Sequence, residues 1–111
     1  HVKLSVSQIE MQMPSKVIYT AYSAFKFKFG EVPSDYSEVY VYADDETVEI
    51  IKERFPKQNG PVNLTVLKMD ECLKKISKDN IAPLGQIYVD LWNLREWYAK
   101  EFVNAIEEKI V

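Results

Sequence analysis

Val39–Ala43 reads Val-Tyr-Val-Tyr-Ala, β-branched or aromatic up to its last residue, and together with the residues just after it this segment narrows the fold more than any other part of the chain. Asp44 and Asp45 bring side-chain oxygens and negative charge to a helix start. Val48, Ile51 and Phe55 mark the buried side of that helix over residues 45–55, and Pro56 ends it. Gln58, Asn59, Gly60 and Pro61 form a turn, and residues 62–67 are a second strand. A strand, a helix of about three turns and a strand give the spacing of a right-handed parallel βαβ unit. The expected class is therefore α/β (α+β), a small mixed sheet containing that unit, packed against helices and followed by a long C-terminal helical segment.

Around this unit the periodicity is less uniform. Val2, Leu4 and Val6 alternate with polar residues, as do Ile9, Met11 and Met13, which predicts a broken or bulged strand ended by Pro14 and Ser15. Phe25, Phe27 and Phe29 also alternate, with Lys26 and Lys28 between them. Yet Ile18, Tyr22, Phe25 and Phe29 fall on one helical face, and we favour a helix over residues 20–29 stopped by Gly30. Residues 31–37 are loop. Residues 69–77 form a helix with Met69, Cys72, Leu73 and Ile76 on one face. Pro83 suits the first turn of the next helical stretch. Two or three helices close the chain, and from Pro83 onward Ile87, Leu91, Leu94, Tyr98, Phe102, Ile106 and Ile110 recur at helical spacing.

A length of 111 residues at 47% hydrophobic content predicts one domain with one core. The chain begins at His1 rather than Met, so we read its start as a cut rather than a natural terminus. Net charge is -3 with both signs well mixed, and Lys26 with Lys28 is too small a cluster to neutralise many phosphates. This domain is therefore not expected to be the main nucleic-acid binder. Pairs such as Asp70 with Lys74, Glu71 with Lys75 and Glu96 with Lys100 read as solvated helix faces. No apolar run reaches the ~18–20 residues a membrane span needs, and a cytoplasmic location without membrane contact is expected. Cys72 is the single cysteine, which excludes an internal disulfide, and it is read as a buried thiol acting as a small hydrophobe rather than as a reactive one. Asn63, Leu64 and Thr65 match a glycosylation acceptor by chance.

The chemistry-bearing residues are few. His1 is the only histidine and is read as foreign to the natural protein, which removes Ser-His and Cys-His nucleophilic systems and most zinc sites. Gly30, Gly60 and Gly85 form no phosphate-cradling pattern. Asp44, Asp45 and Glu46 could bind Mg²⁺, but they stand where a helix begins and are read as its cap. No catalytic set, metal site or cofactor is expected. Asp90 lies in the most apolar helix; it is either an exposed, locally bonded residue or a structural or interfacial anchor for a Tyr hydroxyl or Arg95. Seven tyrosines and two tryptophans are more than so small a core should bury. Val89, Trp92, Trp97 and Val103 widen the last apolar stripe beyond what core packing needs, and they are the candidate face for a protein partner or self-association.

Three segments together resemble the C-terminal region of AbiEi-type antitoxins and related transcriptional regulators of type IV toxin–antitoxin and abortive-infection systems. Tyr19-Thr20-Ala21-Tyr22-Ser23-Ala24-Phe25 is similar to their helix start "Y-x-T-G-x-x-A-L". Val39–Ala43 is similar to the strand that comes after it, and Ala82-Pro83-Leu84-Gly85-Gln86-Ile87-Tyr88-Val89-Asp90-Leu91 to their "S-P-x-Q-L-Y-L-D-L" helix. The chain departs from that pattern at Ala21, where the family favours Gly, and at Phe25, where it favours Leu. The resemblance implies a non-enzymatic regulatory and interaction domain that is the C-terminal part of a longer protein, with DNA bound only through a separate N-terminal domain, a winged helix. The same layout also looks like a nucleotidyltransferase worn down at its centre. Active members carry Gly-Ser at the helix start and Asp-x-Asp on the strand; here these positions read Thr20-Ala21 and Val39-Tyr40-Val41-Tyr42. A divergent enzyme of that superfamily is the alternative reading.

Overall fold

The computed structural model describes residues 6–55 and 64–110. Its sheet is mixed, as expected, but the antiparallel strand is Ile18–Thr20 rather than the N-terminal segment. β2 (Val39–Ala43) lies between β1 (Ile18–Thr20) and β3 (Leu64–Lys68), antiparallel to the first and parallel to the second. Helix α3 (Asp45–Arg54) connects β2 to the segment that leads into β3, so the βαβ unit forms as expected. Asp44 caps α3 by accepting from the Thr47 amide at 2.8 Å. The Pro56 helix stop, the turn at residues 58–61 and the first residues of the second strand lie outside the described residues.

Alternation along β2 sorts the molecule into three layers. Val39, Val41 and Ala43 are buried against Ile9, Met13, Val17, Ile51 and Phe55 on one face. Tyr40 and Tyr42 point the other way, into a second apolar cluster built by α2 (Ala21–Phe29), α5 (Leu84–Trp92) and α6 (Ala99–Ile110). Tyr22, Phe25, Ile87, Leu91, Phe102 and Ile106 are fully buried there. Gly30 ends α2 at φ 78°, and its amide donates to the Lys26 carbonyl at 2.8 Å. Beyond β1, the Tyr19 amide donates to Asn80 and the Ala82 amide to Tyr19, which ties the segment before α5 to the sheet edge.

Two expectations need correcting here. Val6–Met11 is a helix, α1, not a strand; Val2 and Leu4 lie outside the described residues. Ile9 and Met13 are buried four residues apart while Met11 is 85% exposed, so the helical period wins over the alternating one. Cys72 is exposed, not buried. Helix α4 (Glu71–Ile76) is short and buries only Leu73, so the thiol and Ile76 remain on its solvent side.

The C-terminal segment folds back on itself. α5 ends at Trp92, residues 93–98 reverse the chain, and α6 returns beside α5. Tyr88 donates to Glu107 at 2.7 Å, whereas 19 residues of unbroken helix would separate them by about 28 Å. Among the described residues no helix is long and apolar enough to cross a membrane.

Candidate functional site

The layer that holds Tyr40 and Tyr42 is organised by carboxylates. Asp90, half-buried on α5, accepts from Thr20 Oγ1 at 2.6 Å and from the Tyr42 hydroxyl at 2.8 Å on one oxygen. Its other oxygen accepts from Gln86 Nε2 at 2.9 Å, one helical turn away. Glu96, in the α5–α6 connection, accepts from Tyr22 at 2.9 Å and Tyr40 at 3.1 Å. It is a tyrosine acceptor rather than half of a solvated pair with Lys100. Glu10 of α1, only 6% exposed, accepts from Ser23 at 2.6 Å, Tyr36 at 2.8 Å and Lys26 at 3.2 Å. Glu38 accepts from Tyr98.

Every tyrosine hydroxyl in the chain donates to an acidic residue, six to carboxylates and that of Tyr19 to the Glu10 carbonyl at 3.1 Å. Burial, reinforced by the Glu10 charge, pushes Tyr19 up from 10.0 to about 12. Burial is also the leading cause that raises Tyr22, Tyr36, Tyr40, Tyr42 and Tyr98, with the neighbouring carboxylate adding to it. Such hydroxyls are neutral donors at physiological pH, already committed to partners. They hold layers together and are unsuited to general-base work. Asp90 therefore sits where an anchor for a Tyr hydroxyl should, with Tyr42 supplying it. Glu10 and Glu38 are not singled out by the sequence, and Glu96 reads there only as half of a solvated pair; the surplus of tyrosines is the available signal, since a buried phenol requires an acceptor.

A different surface lies on the outer side of α5 and α6. Trp92 is 66% exposed, Trp97 79% and Val89 51%. Trp92 stacks on Tyr88 with ring centres 6.2 Å apart, and Trp97 meets Tyr98 edge-on at 5.4 Å. The two indoles border a groove of ≈ 510 Å³ lined also by Leu91, Leu94, Lys100 and Glu107. Val103 departs from expectation: at 4% exposure it is a core residue. Ala99, Phe102, Val103 and Ile106 form the buried face of α6, so Val103 contributes to the groove wall without projecting from it.

A second cleft, of ≈ 400 Å³, opens where β2 ends, between Lys16, Asp44, Glu46, Lys74 and Asn80. The Asp44 carboxyl is held below its usual range, first by Thr47, whose amide donates to it, and then by Lys74 and Lys16. That is the electrostatics of a helix cap beside two cations. Among the described residues no group of three or more His, Cys, Asp or Glu side chains is placed to hold a metal ion.

No protein-family model, curated protein or solved structure matches the chain.

Proposed function

We propose that this chain is a non-enzymatic regulatory and interaction domain of an antitoxin-like transcriptional regulator, and that it works by protein–protein contact through the α5–α6 groove. The observation that carries this reading is the pair of exposed indoles, Trp92 and Trp97, beside an apolar groove. Trp is the residue type most enriched at interface hot spots, and a clustered aromatic patch is costly to leave in water. The antitoxin-like part rests on the resemblance of three segments to that family. It gains weight from geometry, because Thr20 and Asp90, from two of the resembling segments, are bonded to each other.

The nucleotidyltransferase alternative receives less support. β2 would have to present carboxylates, but Val39, Val41 and Ala43 pack into the core, while Tyr40 and Tyr42 donate to Glu96 and Asp90.

The test uses the full-length gene product acting on a reporter behind its own promoter. Replacing both indoles, Trp92→Ala with Trp97→Ala, should abolish regulation while the circular-dichroism melt stays unchanged. The isolated chain should not shift duplex DNA at physiological salt. Full regulation by the double variant, or submicromolar DNA binding by the isolated chain, contradicts the reading.

A further inference from the structure

The groove wall supplied by α6 carries one charge of each sign on a single face. Lys100 and Glu107 both line the groove and both are exposed. Seven residues separate them, two turns or about 10 Å along the helix, with Val103 and Asn104 between. Among the described residues Lys100 makes no ion pair. Glu107 is oriented by Tyr88, which donates to its Oε2. A second rim carboxylate, Glu96, is already engaged by Tyr22 and Tyr40. A strongly acidic or strongly basic partner would meet repulsion from one end of this wall. A reversed copy of the same wall meets attraction at both ends.

We propose that the occupant of the groove is a second copy of this chain, docked about a two-fold axis that runs α6 antiparallel to its mate. This rests on the reading of the groove as an interaction surface and adds the partner's identity. With the axis between Val103 and Asn104, each Lys100 faces the partner's Glu107, the reciprocal pattern an isologous contact demands. The α5–α6 hairpins then form a four-helix arrangement, with Trp97 of each copy beside the last turn of the partner's α6. At ~150–250 Å² per aromatic side chain, the exposed parts of the two indoles offer about 200–350 Å² per copy. A stable interface needs roughly 800 Å² per partner, so the helix walls must supply the rest and the dimer is of modest affinity.

Sedimentation equilibrium of the whole chain reads this directly, with circular dichroism confirming that the variants fold. The wild type should show a monomer–dimer equilibrium. Lys100→Glu and Glu107→Lys should each weaken it by roughly tenfold or more, because like charges then face each other at both ends. The double variant Lys100→Glu/Glu107→Lys restores opposite charges and should recover association to within about threefold. A strict monomer overturns the proposal. So do single reversals without effect, or a double variant as weak as the singles. If Trp92→Ala/Trp97→Ala abolishes association while the charge reversals do nothing, this pairing is wrong and the groove reading survives. The reporter experiment judges that reading independently.

Discussion

Thr20 Oγ1 donates to Asp90 Oδ2 at 2.6 Å across 70 residues of chain, joining the start of α2 to the middle of α5. Thr20 is fully buried, and Tyr42 donates to the same carboxylate oxygen, so one acid fixes β1, β2 and α5 relative to one another. Hydrogen bonds to a charged acceptor contribute about 1.5–3 kcal/mol each, and an orphaned buried donor costs about 1–3 kcal/mol. Asp90→Ala should therefore lower stability by about 2–3 kcal/mol in urea denaturation, and Asp90→Asn, which keeps one acceptor, by about half of that. A loss below about 0.5 kcal/mol for the alanine variant contradicts this anchoring role.

Ala21, the first residue of α2, has φ 56°, in the left-handed region that an L side chain occupies at a cost of roughly 1–2 kcal/mol. The antitoxin-like pattern has Gly at this place. Ala24 is as deeply buried on the same helix without the positive φ, so it serves as the control. Ala24→Gly should cost about 1–2 kcal/mol, while Ala21→Gly should fall within about 0.5 kcal/mol of wild type, since relief of strain offsets the lost methyl. Equal losses at the two positions count against the strain.

Alkaline pH should unfold the protein through its tyrosines. All seven have folded pKa values raised above 10.0, so at higher pH the unfolded chain loses protons that the native state keeps. Stability is then flat with respect to these groups below pH 10 and falls as pH rises beyond it, through about 12 for Tyr19. Tyrosinate absorbance should appear together with loss of helical ellipticity. Full tyrosine ionisation near pH 10.0 with the fold intact contradicts the donor network.

The thiol of Cys72 should react with a thiol-specific reagent in native buffer within roughly threefold of its rate in denaturant, because the side chain is exposed. Protection by tenfold or more, on the order expected for a core thiol, contradicts the placement of α4.

What the sequence made legible was local. β2, its Asp44 cap and the βαβ unit were readable because strand and helix periods there do not overlap. The α1 segment was not, because Ile9, Met11 and Met13 fit a period of two while Ile9 and Met13 also fit a helical turn. The place of the α5–α6 reversal was hidden because Leu91, Leu94 and Tyr98 keep helical spacing straight through residues 93–98. Val103 was misplaced for the same reason: which side of α6 faces the core is set by the return path, not by the stripe. Asp90 stood out as an acid among apolar neighbours, but its partners Tyr42 and Thr20 come from 48 and 70 residues away, which no local pattern encodes.

The chain contains two tryptophans, both on the groove, so tryptophan emission, excited at wavelengths its seven tyrosines do not absorb, reports on that surface. Acrylamide quenching measured along a dilution series, and again with the full-length protein assembled on its partner, tests the interaction surface most directly. At high dilution the indoles should be nearly as accessible as in the unfolded chain, and they should become shielded and blue-shifted as the complex forms. Indoles already shielded in the dilute monomer, or equally accessible free and assembled, rule the interaction surface out.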